Sequence, residues 1–309
     1  MNRRFLPLML HLFVLASWSG SVKAQDLTRI AIDRSQTAVS PVRVKFDLYR
    51  DYLIVLPCSS HGVHLNLVLD TGADPSVLDR RAAKRLGLKI LSLGRVTTLQ
   101  GGTPSESAAL PQLRLGPLAA TNLPVLVQDL SFLQKGLQVG IDGIIGIDVL
   151  GRVPFAIDYD THELSFFPTV KASYSEHLAN YSLAKRFPTI EVSLDGSHLR
   201  LALDTGASWL MLFSSQVEGR MALITTGAAA HSTNLSGDFY GRKLLIQHPI
   251  LAGVDFGQRF GIVVTMQKGT VTDFDGLLSP AAFGITKLAF DPERGMISFR
   301  FSRALRLDF

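Results

Sequence analysis

The feature that most constrains this chain is a long-range self-similarity. His64-Leu65-Asn66-Leu67-Val68-Leu69-Asp70-Thr71-Gly72-Ala73 returns 134 residues later as His198-Leu199-Arg200-Leu201-Ala202-Leu203-Asp204-Thr205-Gly206-Ala207. Ile141-Asp142-Gly143-Ile144-Ile145-Gly146 is answered by Phe274-Asp275-Gly276-Leu277-Leu278-Ser279 at an offset of 133. A third block, Phe155-Ala156-Ile157-Asp158 running to Ser165-Phe166, corresponds at the same 133 to Leu288-Ala289-Phe290-Asp291 running to Ser298-Phe299. Three ordered matches at near-constant spacing imply a duplicated unit. A period this long makes two domain-sized lobes and not a solenoid of short repeats. The expected division is a leader at 1–24, a first lobe at 25–168, a connection at 169–186 and a second lobe at 187–309. The recognisable copies run from about residue 44 to 168 and from about 187 to 301. With 309 residues, 47% of them apolar and 18% charged, each lobe can close a core, and disorder is excluded.

Local patterns favour strands. The apolar runs ending at Leu69 and Leu203 follow β-rich stretches, Tyr52–Leu56 and Thr189–Leu194, across Ser59-Ser60-His61-Gly62 and Asp195-Gly196-Ser197. Each such pair reads as a hairpin. A second hairpin is expected in each copy: Gly94–Gln100 with Ala108–Leu115 around Gly101-Gly102-Thr103-Pro104, and Ser232–Leu235 with Phe239–Ile246 around Ser236-Gly237-Asp238. Only Asp79–Leu86 reads as a helix, and Lys84, Arg85 and Lys89 there complement its dipole. The class is all-β with short helices.

The first residues carry an export pattern. Arg3 and Arg4 precede an apolar stretch from Phe5 to Trp18, and Val22-Lys23-Ala24 ends the segment, placing a cut after Ala24. That stretch is shorter than a membrane span, so the expected product is a protein without stable membrane insertion, secreted or periplasmic. Removing Arg3, Arg4 and Lys23 lowers the net charge from +5 to +2, too little for a nucleic-acid footprint. Cys58 is the single cysteine, cannot form an internal disulfide, and is expected to pack within a strand. His61 and His64 have no acidic or Cys partner in register, so no metal site is expected.

The repeated aspartate carries the chemistry. In both copies it ends an apolar strand and is followed by Thr-Gly-Ala, which puts an ionisable group where burial is expected and a tight turn after it. Lobes related by a pseudo-twofold axis can bring Asp70 beside Asp204. Two carboxyls sharing a site cannot both ionise easily, so one keeps its proton and the other stays charged. An acid and a base thus arise from identical residues.

Leu69-Asp70-Thr71-Gly72-Ala73-Asp74 with Val77-Leu78-Asp79 behind it resembles the active-site turn of retropepsin-like aspartic proteases, and Leu203-Asp204-Thr205-Gly206-Ala207 is similar. Asp142-Gly143-Ile144-Ile145-Gly146 is similar to the family's second signature, two apolar residues and a glycine threaded behind that turn. The resemblance implies the pepsin/retropepsin-like acid protease fold, both halves on one chain, and a monomer. It implies a catalytic pair, Asp70 and Asp204, supported by the turns Thr71, Gly72, Ala73 and Thr205, Gly206, Ala207. Thr71 and Thr205 would bond across the axis, and Gly72 and Gly206 would lend N–H donors to the carboxyls. The activity implied is that of an exported aspartic endopeptidase acting on peptide or protein substrates through an activated water, at acidic pH or nearer neutrality, without cofactor or metal. Asp74 resembles a substrate-backbone contact, although Ser208 takes its place in the second copy. The second hairpins correspond to substrate-covering flaps, and Tyr240 is a candidate substrate contact. Ser279 departs from the pattern where Gly146 meets it, implying looser packing or a different strand path. The alternative reading is a catalytically impaired peptide-binding protein on the same fold.

Overall fold

A computed structural model describes residues 9–10, 14–15, 28–32, 41–98, 101–166, 176–184, 187–234, 237–267 and 272–302. Most of the expected leader and of residues 25–42 lie outside the described residues, although Arg29–Ile32 form a strand antiparallel to Leu118–Gln128.

The local hairpins form because their turns accept left-handed backbone. His61-Gly62 and Asp195-Gly196 all have positive φ, 46°, 80°, 49° and 82°, the geometry that matches the twist of a two-residue hairpin. Leu53–Ser60 therefore folds onto Val63–Leu69, and Phe187–Leu194 onto Ser197–Leu203. The first strands of the two hairpins share one alternation of buried and exposed positions, and so do the second strands. Registers also correspond, since Val55 opposes Val68 and Thr189 opposes Ala202. Cys58 lies buried in Leu53–Ser60.

Among the described residues each hairpin belongs to its own sheet, nine-stranded for the first and, counting Met9–Leu10 at its edge, eleven-stranded for the second. The short apolar strand Gly143–Ile145 runs parallel to Val63–Leu69 and antiparallel to Val77–Asp79, wedged between them. Gly276–Leu278 sits in the same way between Ser197–Leu203 and Leu210–Phe213. The wedge explains both leading glycines. A Cβ on Gly143 would stand 2.4 Å from the Val77 carbonyl oxygen, and one on Gly276 2.1 Å from that of Met211. Only a residue without a side chain lets three strands close that tightly.

A six-stranded sheet joins the halves. Phe155–Asp158 from the first runs antiparallel to Ile285–Asp291 from the second, with Phe155 opposite Phe290, Ala156 opposite Ala289 and Ile157 opposite Leu288. Ala156 thus faces its own sequence counterpart, and the two neighbouring pairs exchange theirs. Phe155 and Phe290 stack at 4.6 Å and are fully buried, so the seam is held by aromatic packing as well as by the ladder.

Three expectations need correcting. The segment 169–186 is not purely a connection: His177–Asn180 extends the joining sheet against Met296–Phe301, and Ser182–Ala184 pairs with Phe187–Leu194. The strands of the second hairpins reach further than expected, since Ile90–Thr98 pairs with Gly101–Leu115 and Ile224–Asn234 with Gly237–Ile246. Gly101-Gly102-Thr103-Pro104 and Gly237-Asp238 are strand residues. Besides the expected helix at Arg80–Arg85, short helices form at Ser131–Leu137, Ile147–Leu150 and Ser214–Val217. The last two span four residues each, too short to leave a helical period in the sequence.

Gly143→Ala and Gly276→Ala are expected to lower stability by about 2–3 kcal/mol, through overpacking against backbone that cannot retreat. Gly140→Ala, where a Cβ meets nothing within 4 Å, is the matched control. Thermal unfolding of the three variants checks this, and equal melting temperatures would contradict the wedge.

Candidate active site

Asp70 and Asp204 follow strands that are buried toward their C-terminal ends, so each chain reversal happens inside the protein. Both residues have no exposed surface. Their backbone N–H groups donate to the wedge strands, Asp70 to the Ile145 carbonyl and Asp204 to that of Leu278, both at 3.0 Å. Within each turn the glycine N–H donates to the carboxyl, Gly72 to Asp70 Oδ1 at 2.7 Å and Gly206 to Asp204 Oδ1 at 2.8 Å.

The threonines tie the turns together. Thr71 N–H donates to Thr205 Oγ1 at 3.0 Å, and Thr205 N–H donates to Thr71 Oγ1 at 3.1 Å. Each hydroxyl then donates onward into the opposite half, Thr71 to the Leu203 carbonyl at 2.6 Å and Thr205 to the Leu69 carbonyl at 3.2 Å. All four bonds are buried. Losing one partner would strand a donor or acceptor with no water to replace it.

Oδ2 of Asp70 and Oδ2 of Asp204 are buried and have no hydrogen-bond partner outside the pair. Two ionised carboxylates placed so would be acceptors without a proton between them. Burial, opposed by the Gly72 N–H and by Asp204, raises the Asp70 carboxyl to about 6. Burial and then the Asp70 charge push Asp204 well above the usual carboxylate range. The pair therefore keeps a shared proton where isolated carboxyls have lost theirs, and it titrates as one unit.

Ser279 neither loosens the second half nor diverts its strand. Gly276–Leu278 keeps the register of its counterpart, Leu201 facing Gly276 as Leu67 faces Gly143. The Ser279 side chain is fully buried, and its Oγ donates to the Ala207 carbonyl at 2.7 Å. In the first half a Cβ on Gly146 would lie 2.2 Å from the equivalent Ala73 carbonyl, so there the glycine is needed. A hydroxyl has replaced close contact with a hydrogen bond.

Sequence reasoning missed two groups. Behind the first turn, Asp148 accepts from Ser76 N–H at 3.0 Å and Ser76 Oγ at 2.8 Å, while Ser76 Oγ accepts from Gly146 N–H at 2.9 Å. Burial, and then the charge of Asp74, raise Asp148 to about 6. The corresponding positions in the second copy are Leu210 and Ala281, so the repeat could not flag this network. The other is a pair of arginines. Arg85 does more than complement a helix dipole, since it bonds Asp142 Oδ1 at 2.8 Å, and Arg220 bonds Asp275 Oδ1. Each Asp also accepts a backbone N–H through Oδ2, from Asn66 at 2.9 Å and from Arg200 at 2.8 Å, clamping the start of each wedge strand to its hairpin.

Asp74 is buried on the short strand Ala73–Asp74, and Ala73 and Ala207 are buried beside their turns. Tyr240 lies away on the second half's ribbon, 68% exposed and stacked on His231 at 5.0 Å. Among the described residues no group of three or more His, Cys, Asp or Glu could hold a metal ion, and no helix is long and apolar enough to cross a membrane.

The raised carboxyls fix the sign of a stability effect. The folded state binds more protons than the unfolded state between 3.8 and about 6, so stability falls as pH rises through that window. Asp204→Asn removes a buried acid while keeping an oxygen for Gly206. It should raise stability at pH 7 by on the order of 1–3 kcal/mol, an advantage that shrinks at pH 4. Ser279→Ala should cost about 1 kcal/mol at either pH. Denaturant titrations at the two pH values measure both, and a pH-independent Asn effect would contradict the shared proton.

Residues 56–149 match the family model described as aspartyl protease. That segment contains the Asp70 turn, its wedge strand and the Ser76–Asp148 network, hence one complete half of the geometry just described. No curated protein sequence matches the chain. Residues 56–149 thus match the retropepsin-like kind of aspartyl protease, within a chain whose described residues form an all-β fold.

Proposed function

We propose that this protein is an exported, single-chain aspartic endopeptidase whose catalytic pair is Asp70 and Asp204. The observation that carries the reading is the buried pair of carboxyls held by reciprocal threonine bonds, with Oδ2 of each left without a partner outside the pair. The halves relate by a pseudo-twofold axis, a reading supported by Ala156 facing Ala289 and by the exchanged Thr71 and Thr205 bonds. Because both carboxyls come from one chain, the working unit is a monomer.

The mechanism follows from the shared proton. A water bonded to both carboxyls loses a proton to the ionised one and attacks the peptide carbonyl, while the protonated one donates to the carbonyl oxygen. The tetrahedral gem-diol collapses as a proton passes to the leaving amine. No covalent enzyme species forms. Gly72 and Gly206 hold the Oδ1 atoms, so the Oδ2 atoms face the chemistry. The raised carboxyls shift the expected working range upward from the acidic one, because the singly ionised pair forms as pH rises through about 6. Asp74, on the short strand that leaves the Asp70 turn, is offered as a contact for substrate backbone, and Tyr240 as a contact for a substrate side chain.

Export rests on Arg3, Arg4, the apolar stretch from Phe5 to Trp18 and the cut after Ala24, which releases a secreted or periplasmic protein. Its partners are peptide or protein substrates, and neither nucleic acid nor a cofactor enters the proposal. Ser279, which with the flap is a motive for the peptide-binding alternative, leaves the Asp204 turn bonded as the Asp70 turn is, and this supports the endopeptidase reading.

Asp70→Asn and Asp204→Asn should each lower the rate of cleavage of a denatured protein by on the order of 10³-fold while circular dichroism stays unchanged. The wild-type rate should rise through about pH 6 and fall again at higher pH. Full activity in either variant would exclude the mechanism.

A further inference from the structure

The chain leaves the Asp204 turn through Ser208-Trp209 and enters the strand Leu210–Phe213. One row of the sheet runs outward from that strand: Met211 opposes Ile262, and Ile262 opposes Lys243 on Gly237–Ile246, a strand of the second half's ribbon. Directly opposed residues share a face, so Lys243 lies on the face where Met211 and Ile262 are buried. Trp209 packs on the cluster that contains those two, and the Lys243 ammonium stands over its ring, 5.4 Å from the centroid. Lysine and indole thus bridge the ribbon and the exit of the Asp204 turn.

The ammonium is partly buried, yet no ion pair or hydrogen bond reaches it from the described residues. The strands around it hold no acid that could meet it. Leu210–Phe213, Arg259–Val264 and Ile224–Asn234 contain no Asp or Glu, and Asp238, the one acid on the strand of Lys243, faces His231 at 3.3 Å. Next to Trp209, Ser208 Oγ is buried and also lacks a partner. A partly desolvated cation costs free energy until an anion meets it. The first half is built differently. Its equivalent row is Val77, Leu126 and Ser107, the Ser107 hydroxyl is bonded to that of Ser92 at 2.7 Å, and Pro75 stands where Trp209 does. The cation therefore belongs to the second half and not to the repeated scaffold.

We propose that Lys243 and Trp209 form a specificity site for an acidic side chain of the substrate, on the second half's side of the Asp70–Asp204 pair. The inference rests on the reading of that pair as catalytic. A peptide lying between the ribbon and the Asp204 turn passes this point, and the Lys243 ammonium donates to its Asp or Glu carboxylate. The Trp209 ring already holds the ammonium in place, so less side-chain freedom is lost on binding. A Gln of the same shape keeps the fit and loses the charge, and the site separates the two on that difference.

Trp18 and Trp209 are the two tryptophans, so the full chain carrying Trp18→Phe reports on Trp209 alone. In digests of a denatured protein mixture, Asp and Glu should be enriched on the order of 10-fold at one fixed position relative to the cut. Lys243→Met should remove that enrichment, and Lys243→Glu should replace it with Lys and Arg at the same position. A cut pattern that is unchanged in both variants would overturn the proposal. The second measurement needs no turnover and no ribbon variant. With Asp204→Asn added, acetylated and amidated random decapeptides containing either Glu or Gln are titrated against Trp209 emission. The Glu set should bind on the order of 10-fold more tightly. Equal binding, or a Gln set with a free terminal carboxyl that binds as tightly as the Glu set, would overturn the proposal even if the Lys243 variants fail to fold. Emission reads occupancy beside Trp209 alone, so a chain that separates Glu from Gln yet cleaves nothing defeats the protease reading and leaves this inference standing. One that cleaves without regard to acids does the reverse.

Discussion

Thr71 and Thr205 exchange hydrogen bonds at the seam between two halves of one chain, and the position of both buried carboxyls depends on that exchange. Each threonine satisfies the other's backbone N–H and then anchors its hydroxyl on the strand that delivers the opposite aspartate. Neither half can satisfy its turn alone. In a dry seam an unmet donor costs more than a typical hydrogen bond contributes, so the penalty for separation enforces the geometry. The carboxyls are consequently brought together whether or not their proximity is favourable in itself.

Proximity is in fact unfavourable, and the proposed chemistry rests on that. Burial penalises charge on both groups, and charge on Asp70 penalises charge on Asp204. The protein offsets this through the Gly72 and Gly206 N–H donors, the wedge strands beneath the turns and the aromatic seam at Phe155 and Phe290. Stability is thus given up at the site and recovered in the sheet that joins the halves, the usual distribution in a protein that keeps a strained functional centre.

The halves reach equivalent turns by partly different means. Arg85 with Asp142 and Arg220 with Asp275 are the same clamp, made from an arginine at the end of a helix in the first half and from one in the turn after a helix in the second. At the end of the wedge, Gly146 relies on close approach and Ser279 on a hydroxyl bond to Ala207. Among the described residues the Ser76–Asp148 network belongs to the first half alone, and so does a strand directly after the turn, Ala73–Asp74. An outline fixed by backbone pairing thus leaves side chains free to diverge, and the divergence gives the two sides of the site different surfaces.

The sequence by itself determined what is local or repeated. Alternation and turn residues specify hairpins at Leu53–Leu69 and Phe187–Leu203, and the Asp-Thr-Gly-Ala turn repeated at an offset of 134 marks Asp70 and Asp204. It also marks Phe155–Asp158 and its counterpart, though not that they lie side by side. Tertiary structure decided everything that depends on packing between distant segments: the reciprocal threonine bonds, the raised carboxyls, the fit of Ser279 and the partners of Arg85. Asp148 illustrates the difference. Nothing in its neighbourhood of the chain distinguishes it from a solvated helix acid, and only the approach of Ser76 and Asp74 makes it a buried one. The reason is physical: hydrogen bonding within a turn is set by residues in sequence, whereas desolvation and charge coupling are set by whatever the fold brings near, and a single sequence does not carry those neighbours.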